Sequence, residues 1–226
     1  MGQPRILLSW SGGKDAAWAL HTLRETAVGE IVGLMSAVVP AFDRISMHGV
    51  RTLLVRAQAR ATDLPLLEVP LPWPCSNERY EAEFLAALAV ARRQWGVTHV
   101  GFGDLFLEDV RGYRERLLDG TGVAPLFPLW GLPTDALLHT MLAGGLRARI
   151  VCLDPARLDR SFAGRDLASA AAELPAGVDP CGERGEFHTF VTDGPMLSGS
   201  VPVESGEVVE RDGFVYADLL PAAAHV

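Results

Sequence analysis

Lysine is almost missing from this chain: of its 20 basic residues, one, Lys14, is lysine and the other 19 are arginine. With alanine, glycine and proline abundant, this is the bias of a GC-rich bacterial genome that has replaced surface lysines. The surviving lysine stands inside a glycine loop, where a compact ammonium differs most from a forked guanidinium. Cysteine is sparse as well. Cys75, Cys152 and Cys181 lie far apart and form no Cys-x-x-Cys pair, which argues against a disulfide framework or zinc knuckle and for reduced thiols. No apolar run is long enough to cross a bilayer. The first residues, MGQPRILLSW, lack the apolar stretch and cleavage site of a secretion signal. A cytoplasmic protein with no membrane partner is expected. Basic clusters are also lacking. Beyond pairs such as Arg92-Arg93, nothing offsets a net charge of −8, which disfavours nucleic acid as a partner, since phosphate contacts supply most of that affinity.

What is present is ordinary globular material: 226 residues, 49% apolar and 21% charged, enough for one large domain or a medium one with a smaller neighbour. Apolar runs at residues 5–10, 30–39, 64–71 and 98–104 read as buried strands, and residues 15–24, 50–62 and 77–95 read as helices between them. This alternation predicts an α/β fold, a Rossmann-like parallel sheet sandwiched by helices. After about residue 120 the texture changes. GVAPLFPLWGLP is irregular and proline-rich; a helix at 134–143, a strand at 148–154, an Ala-rich helix and a terminal hairpin turning at Arg211-Asp212-Gly213 follow. The expected division is therefore 1–120 for the parallel-sheet domain and 121–226 for a smaller C-terminal α/β region ending in the hairpin.

Ligands of such sheets sit beyond the carboxyl ends of the strands. Ser9-Trp10-Ser11-Gly12-Gly13-Lys14-Asp15, the loop near Ser46-Met47-His48 and Gly103-Asp104 all fall there. In the first, Gly12 and Gly13 permit a tight turn that aims N–H groups at an anion, helped by the helix that follows. Ser9 and Ser11 can donate hydroxyl bonds and Lys14 adds a full charge. Asp15, beside a polyphosphate, needs Mg²⁺ or a helix start to explain it. The spacing is neither a Walker A loop nor the dinucleotide G-x-G-x-x-G. Near the C-terminus, Cys181 to Thr189 gathers a thiol, the carboxylates Glu183 and Glu186, His188 and a hydroxyl between glycines, a composition suited to orienting a polar substrate or moving a proton.

Ser11-Gly12-Gly13-Lys14-Asp15 resembles the pyrophosphate-binding (PP) loop of the N-type ATP pyrophosphatases, an adenine nucleotide α-hydrolase-like superfamily that cleaves ATP between its α and β phosphates. Ala16 stands where that motif usually has Ser or Thr, which removes one hydroxyl contact to phosphate. Taken with Gly182-Glu183-Arg184-Gly185-Glu186-Phe187-His188-Thr189, Ser46-Met47-His48-Gly49, residues 103–111, residues 113–116 and Pro128-Leu129-Trp130, the chain resembles the short prokaryotic form of the diphthine–ammonia ligase family from residue 5 to about 196.

The resemblance implies an AMP-forming ligase using ATP, Mg²⁺ and ammonia, with a carboxylate on a protein or small molecule as acceptor. It implies that Ser11, Gly12, Gly13 and Lys14 hold the β and γ phosphates, with Asp15 on Mg²⁺. Met35 meets adenine, and His48 lies on the rim beside Ser9. Asp104 is expected to bind acceptor, ammonia or metal, with an ordinary Gly-Asp turn as the alternative; Glu108, Arg111 and Arg114 are expected to hold an anionic acceptor together with Glu183 and Thr189, or else to form a solvated salt-bridged face. Glu186 and His188 orient the nucleophile. Two other readings stand beside it: a PP-loop sulfur transferase, in which Cys181 would matter, and an ATP-binding sensor that turns over little. The terminal hairpin offers a contact for a homo-oligomer.

Overall fold

The computed structural model describes residues 2–222. Along the chain lie β1 (Arg5–Ser9), α1 (Lys14–Thr26), β2 (Glu30–Val39), β3 (Arg44–Ile45), α2 (Thr52–Ala61), β4 (Leu66–Pro70), α3 (Asn77–Trp95), β5 (His99–Gly101), α4 (Glu108–Leu118) and β6 (Ala124–Leu126). The remainder is α5 (Thr134–Ala143), β7 (Arg147–Leu153), a 3₁₀ turn at Arg160–Phe162, α6 (Leu167–Ala171), β8 (Phe187–Asp193), β9 (Val203–Arg211) and β10 (Phe214–Pro221). Among these described residues no helix is long and apolar enough to span a membrane.

The first five parallel strands run in the order β4-β2-β1-β5-β6, the Rossmann-like α/β sheet that the alternating pattern predicts. Ile6, Leu7 and Leu8 of β1 are fully buried, because a central parallel strand is covered on both faces. One face packs on α3 and α4 through Phe84, Leu88, Leu117 and Leu118. On the other, a continuous apolar cluster runs from Ile6 and Leu8 through α1 and α2 to Ile150, Phe190 and Val215. That cluster joins the first sheet to a second, antiparallel sheet with the order β8-β7-β10-β9.

Three elements depart from the pattern. β6 lies within the proline-rich stretch read as irregular. It is an edge strand, so Pro125 can sit there without withholding an N–H from a neighbour. α4 was legible only through the spacing of Glu108, Arg111 and Arg114. β3 is too short for periodicity to register, yet it matters. β1 ends opposite Met35 while β2 continues, and the chain returns antiparallel along the edge that β1 vacates. Trp10 N–H donates to Met35 O at 2.8 Å, and further along the same edge Ser46 N–H donates to Ala37 O at 3.0 Å. The Ser46–Gly49 turn is thereby carried over the end of β1.

The terminal hairpin holds that turn in place. Tyr216 of β10 lies so close to Gly49 that a Cβ there would come within 2.7 Å of its ring. Asp218 accepts from both Arg44 and Arg51, the latter at 2.6 Å. Burial alone would raise the Asp218 carboxyl, but the two guanidinium partners prevail and hold it below its usual value. Asp218→Asn should therefore lower the unfolding free energy by about 1–3 kcal/mol, read as a lower urea midpoint at unchanged slope. Because the folded pKa lies below the unfolded one, this contribution is complete above about pH 4 and vanishes as pH falls through the folded value. An equal gap between wild type and variant at neutral and strongly acidic pH would show that the pair does not stabilise the fold.

Candidate active site

Strand order reverses between β1 and β5: β2 and β4 extend to one side, β5 and β6 to the other. A cavity of about 750 Å³ opens at the carboxyl ends of these strands, where open α/β sheets bind ligands. Its floor is the Ser9–Asp15 loop and Gly103-Asp104. The first turns of α3 and α4 form one wall, and the segment from Cys181 to Thr189 forms the roof.

The loop is fastened to that roof by its backbone. Gly12 adopts φ +79°, a left-handed conformation suited to glycine, and its carbonyl accepts from Val191 N–H at 2.9 Å. Lys14 N–H donates to Thr189 Oγ1 at 3.0 Å, and Gly13 N–H donates to Ser11 Oγ at 3.3 Å. A Cβ on Gly13 would lie 2.8 Å from His48 Cε1, so this glycine is needed for close packing as well as for the turn.

Lys14 is 2% exposed. Its ammonium donates to Asp15 Oδ2 at 2.8 Å and to the carbonyl of Cys181, and lies 5.6 Å from the Phe187 ring centre. Burial opposes the charge, but Asp15, Cys181 and Glu183 outweigh it and leave the lysine pKa above its ordinary value. Asp15 spends Oδ2 on the lysine. Its Oδ1 is buried without a partner, and so is Asp104 Oδ2. Burial raises the Asp104 carboxyl, Arg114 pulls it down, and Asp15 raises it again, with a net upward shift. Arg114 Nε stands 3.6 Å from Asp104 Oδ2 and makes no hydrogen bond. Its guanidinium lies over Phe102 at 5.0 Å and reaches Tyr80 Oη at 3.4 Å.

Glu183 accepts from Leu105 N–H at 2.8 Å through Oε1. Burial pushes its carboxyl up to about 7. The His48 and His188 rings lie 4.6 Å apart at 35°, and burial lowers them to about 3 and about 4, so both are neutral near pH 7. His48 Nδ1 sits 3.2 Å from Thr189 O. A carbonyl only accepts, so Nδ1 carries the proton and Nε2 keeps a free lone pair.

The structure thus brings Ser9, Ser11, Lys14, Asp15, Met35 and His48 to one cavity, and Asp104, Arg114, Glu183, His188 and Thr189 to the same one. Gly12 and Gly13 form the backbone behind it. Three residues singled out from the sequence lie elsewhere. Glu186, 2% exposed, accepts from Asp179 N–H at 3.0 Å and Arg184 N–H at 2.9 Å, so its carboxylate staples the turn instead of facing the cavity. Arg111 pairs with Glu115 at 2.8 Å and covers Trp130 at 4.8 Å. Glu108 is exposed in the first turn of α4. The Cys181 thiol donates to Thr134 O at 3.4 Å, and burial pushes its pKa up to about 12.

Sequence reasoning overlooked the aromatic wall of Tyr80, Phe102 and Tyr113, and also Gln58. The signal for Gln58 was its phase: it falls on the buried face of α2 with Leu54, Val55 and Ala59, an odd place for a carboxamide.

A Rossmann-like α/β sheet with a glycine-rich strand-to-helix loop at its switch point, roofed by an antiparallel sheet, defines the class of protein. Residues 133–217 match the family model described as the diphthamide synthase C-terminal domain. The chain is 23% identical over 237 residues to the diphthine–ammonia ligase of Bos taurus, covering 94% of this chain and 88% of the relative. With the Homo sapiens diphthine–ammonia ligase the identity is 22% over the same shares. The Schizosaccharomyces pombe protein of that name is 26% identical over 227 residues, 92% of this chain but 37% of its own longer one. The match to the diphthamide synthase C-terminal domain model is confined to residues 133–217, while the similarity to diphthine–ammonia ligases extends over nearly the whole chain.

Glu183→Gln offers a test of the electrostatics. The folded carboxyl holds its proton to about pH 7, whereas the unfolded one releases it near 4.3. Wild-type stability therefore declines relative to the glutamine variant between those values and stays lower above them. The urea midpoint of the variant should gain on wild type from pH 5 to pH 8; a constant difference would show an unperturbed glutamate.

Proposed function

We propose that this chain is an ATP-dependent amide ligase that binds ATP on the Ser9–Asp15 loop and joins ammonia to a carboxylate held in the same cavity. The observation that carries the reading is the convergence of Lys14, Asp15, Asp104, Arg114 and Glu183 on one cavity at the β1–β5 switch point. The similarity to diphthine–ammonia ligases supports it. When bound, ATP supplies an adenylyl group to the acceptor carboxylate with release of pyrophosphate, and ammonia then displaces AMP to form the amide.

The chain's own groups fit those tasks. Ser9 and Ser11 offer hydroxyls, and the Gly13 and Lys14 amides have hydroxyl partners that a stronger anionic acceptor can replace. The Lys14 ammonium supplies the full charge for the β and γ phosphates. Met35, at the end of β2, provides an apolar edge for adenine. Mg²⁺ would fit the two carboxylate oxygens that make no hydrogen bond, Asp15 Oδ1 and Asp104 Oδ2, since that ion commonly takes one or two carboxylates and completes its shell with phosphate and water. Arg114, against its aromatic wall, is placed to hold the acceptor carboxylate. Glu183 is the proton acceptor: Leu105 fixes Oε1, Oε2 remains for the proton that ammonium must lose, and a pKa near 7 suits a general base at neutral pH. The neutral His48–His188 pair adds a lone pair without adding charge.

Incubation of the protein with ATP labelled in its α-phosphate, Mg²⁺, ammonium and a fractionated cell extract should yield AMP in an acceptor-dependent way. ADP as the product would overturn the mechanism, and tight ATP binding without turnover under any fraction would favour a sensor. Lys14→Met should weaken ATP binding at least about tenfold, the loss of one charge-assisted contact; unchanged affinity would remove the loop from the nucleotide site. Glu183→Gln should bind ATP normally while turnover falls about a hundredfold or more.

A further inference from the structure

The back of the phosphate loop rests on one side chain. Gln58 of α2 is completely buried, and its carboxamide uses its acceptor and both donors. Oε1 accepts from Trp10 Nε1–H at 3.1 Å, while Nε2 donates to Gly12 O at 3.0 Å and to Val191 O at 2.6 Å. Val191 N–H returns a bond to Gly12 O at 2.9 Å. Three segments remote in sequence, the loop, α2 and β8, therefore meet on a single amide. The fit is mutual, because a Cβ on Gly12 would lie 2.7 Å from Gln58 Oε1.

No other side chain serves here. Glutamate lacks donors and would set a buried carboxylate against two carbonyl oxygens. Asparagine is a methylene too short. Methionine fills much of the volume but leaves Trp10 Nε1–H and Val191 O without partners, and no solvent reaches the position to replace them.

We propose that Gln58 is a positioning residue for the ligase reaction, fixing the phosphate loop to β8 and so setting the separation between the loop and the Glu183–Thr189 roof. This rests on the nucleotide reading above. Loosening the amide lets Gly12 and the residues after it move relative to Thr189 and Glu183, and displacements of about 1 Å at such a site cost about a hundredfold in rate.

The test is Gln58→Met in the full chain, with ATP affinity measured by calorimetry and kcat and KM measured separately. We expect ATP affinity to fall about tenfold and kcat about a hundredfold, with the ammonia KM unchanged. Thr62→Val, which removes a buried hydroxyl bond to Ala59 O at the end of the same helix, gauges a merely structural effect: it should lower the urea midpoint and leave kcat and both KM values alone. If Gln58→Met does not fold, Trp10→Phe, which removes the 3.1 Å bond together with the indole's five-membered ring, should still reduce kcat, and a folded Trp10→Phe protein with wild-type kcat overturns the inference. A folded Gln58→Met protein with wild-type ATP affinity and kcat overturns this inference alone, as does a kcat loss equal to that of Thr62→Val. Wild-type protein that binds no ATP overturns it together with the function proposed above.

Discussion

A lysine ammonium with 2% exposure cannot stand alone in a protein interior. Lys14 is tolerable only because Asp15 lies 2.8 Å away and the Cys181 carbonyl accepts a second N–H, and that requirement organises the site. Asp15 comes from the same helical turn, but Cys181 is 167 residues later. Satisfying the charge therefore draws the Cys181–Thr189 segment over the end of β1, and the cavity exists because this roof is in place. Buried pairs of this kind seldom add net stability, since desolvation offsets the attraction, yet removing one member leaves a costly orphan. What the pair does supply is geometry: with Oδ2 engaged by the lysine, Asp15 keeps its other oxygen buried and without a hydrogen-bond partner.

The second sheet follows from the same need. A roof segment that turns on two positive-φ glycines, Gly182 and Gly185, would not hold its own position. β8 anchors it by pairing with β7, and the shared apolar cluster ties β7, β8 and β10 to α1 and α2. The hairpin then secures the His48 turn through Tyr216 and Asp218. Rigid elements behind each functional group, with a second tier of hydrogen bonds such as those of Gln58, are what hold a site to within a fraction of an ångström.

Much of this was legible in the sequence, for reasons that are physical. β1, β2, β4 and β5 are visible as apolar runs because parallel strands are buried on both faces, and the loop is visible because few other uses exist for two glycines and a lysine between strand and helix. The choice between Glu183 and Glu186 was not legible. They are three residues apart on a glycine-rich turn, and only the turn's path decides that Glu186 meets the Asp179 and Arg184 amides while Glu183 meets Leu105 at the cavity. Arg111 and Arg114 pose the same difficulty. Both lie on α4, but the neighbouring Phe127 and Trp130 draw Arg111 away, whereas Phe102 and Tyr80 receive Arg114. Long-range partners, not local spacing, made those decisions.

The start of α1 likewise depends on distant partners. A hydroxyl at position 16 would lie in the first turn of α1, where Gly103 approaches so closely that a Cβ on it would sit 2.8 Å from the Asp15 carbonyl carbon and 2.9 Å from Ala16 N. A hydroxyl meets the helix start from the other end of the chain, where Thr189 Oγ1 accepts from Lys14 N–H at 3.0 Å. The donor set at the loop is thereby divided between the two ends of the chain: the charge and two serines come from the first sheet, and a threonine hydroxyl comes from β8. A group that binds across this junction gains its full set of contacts only when β8 is docked, so in the proposed reaction nucleotide affinity and the packing of the second sheet are one equilibrium, not two.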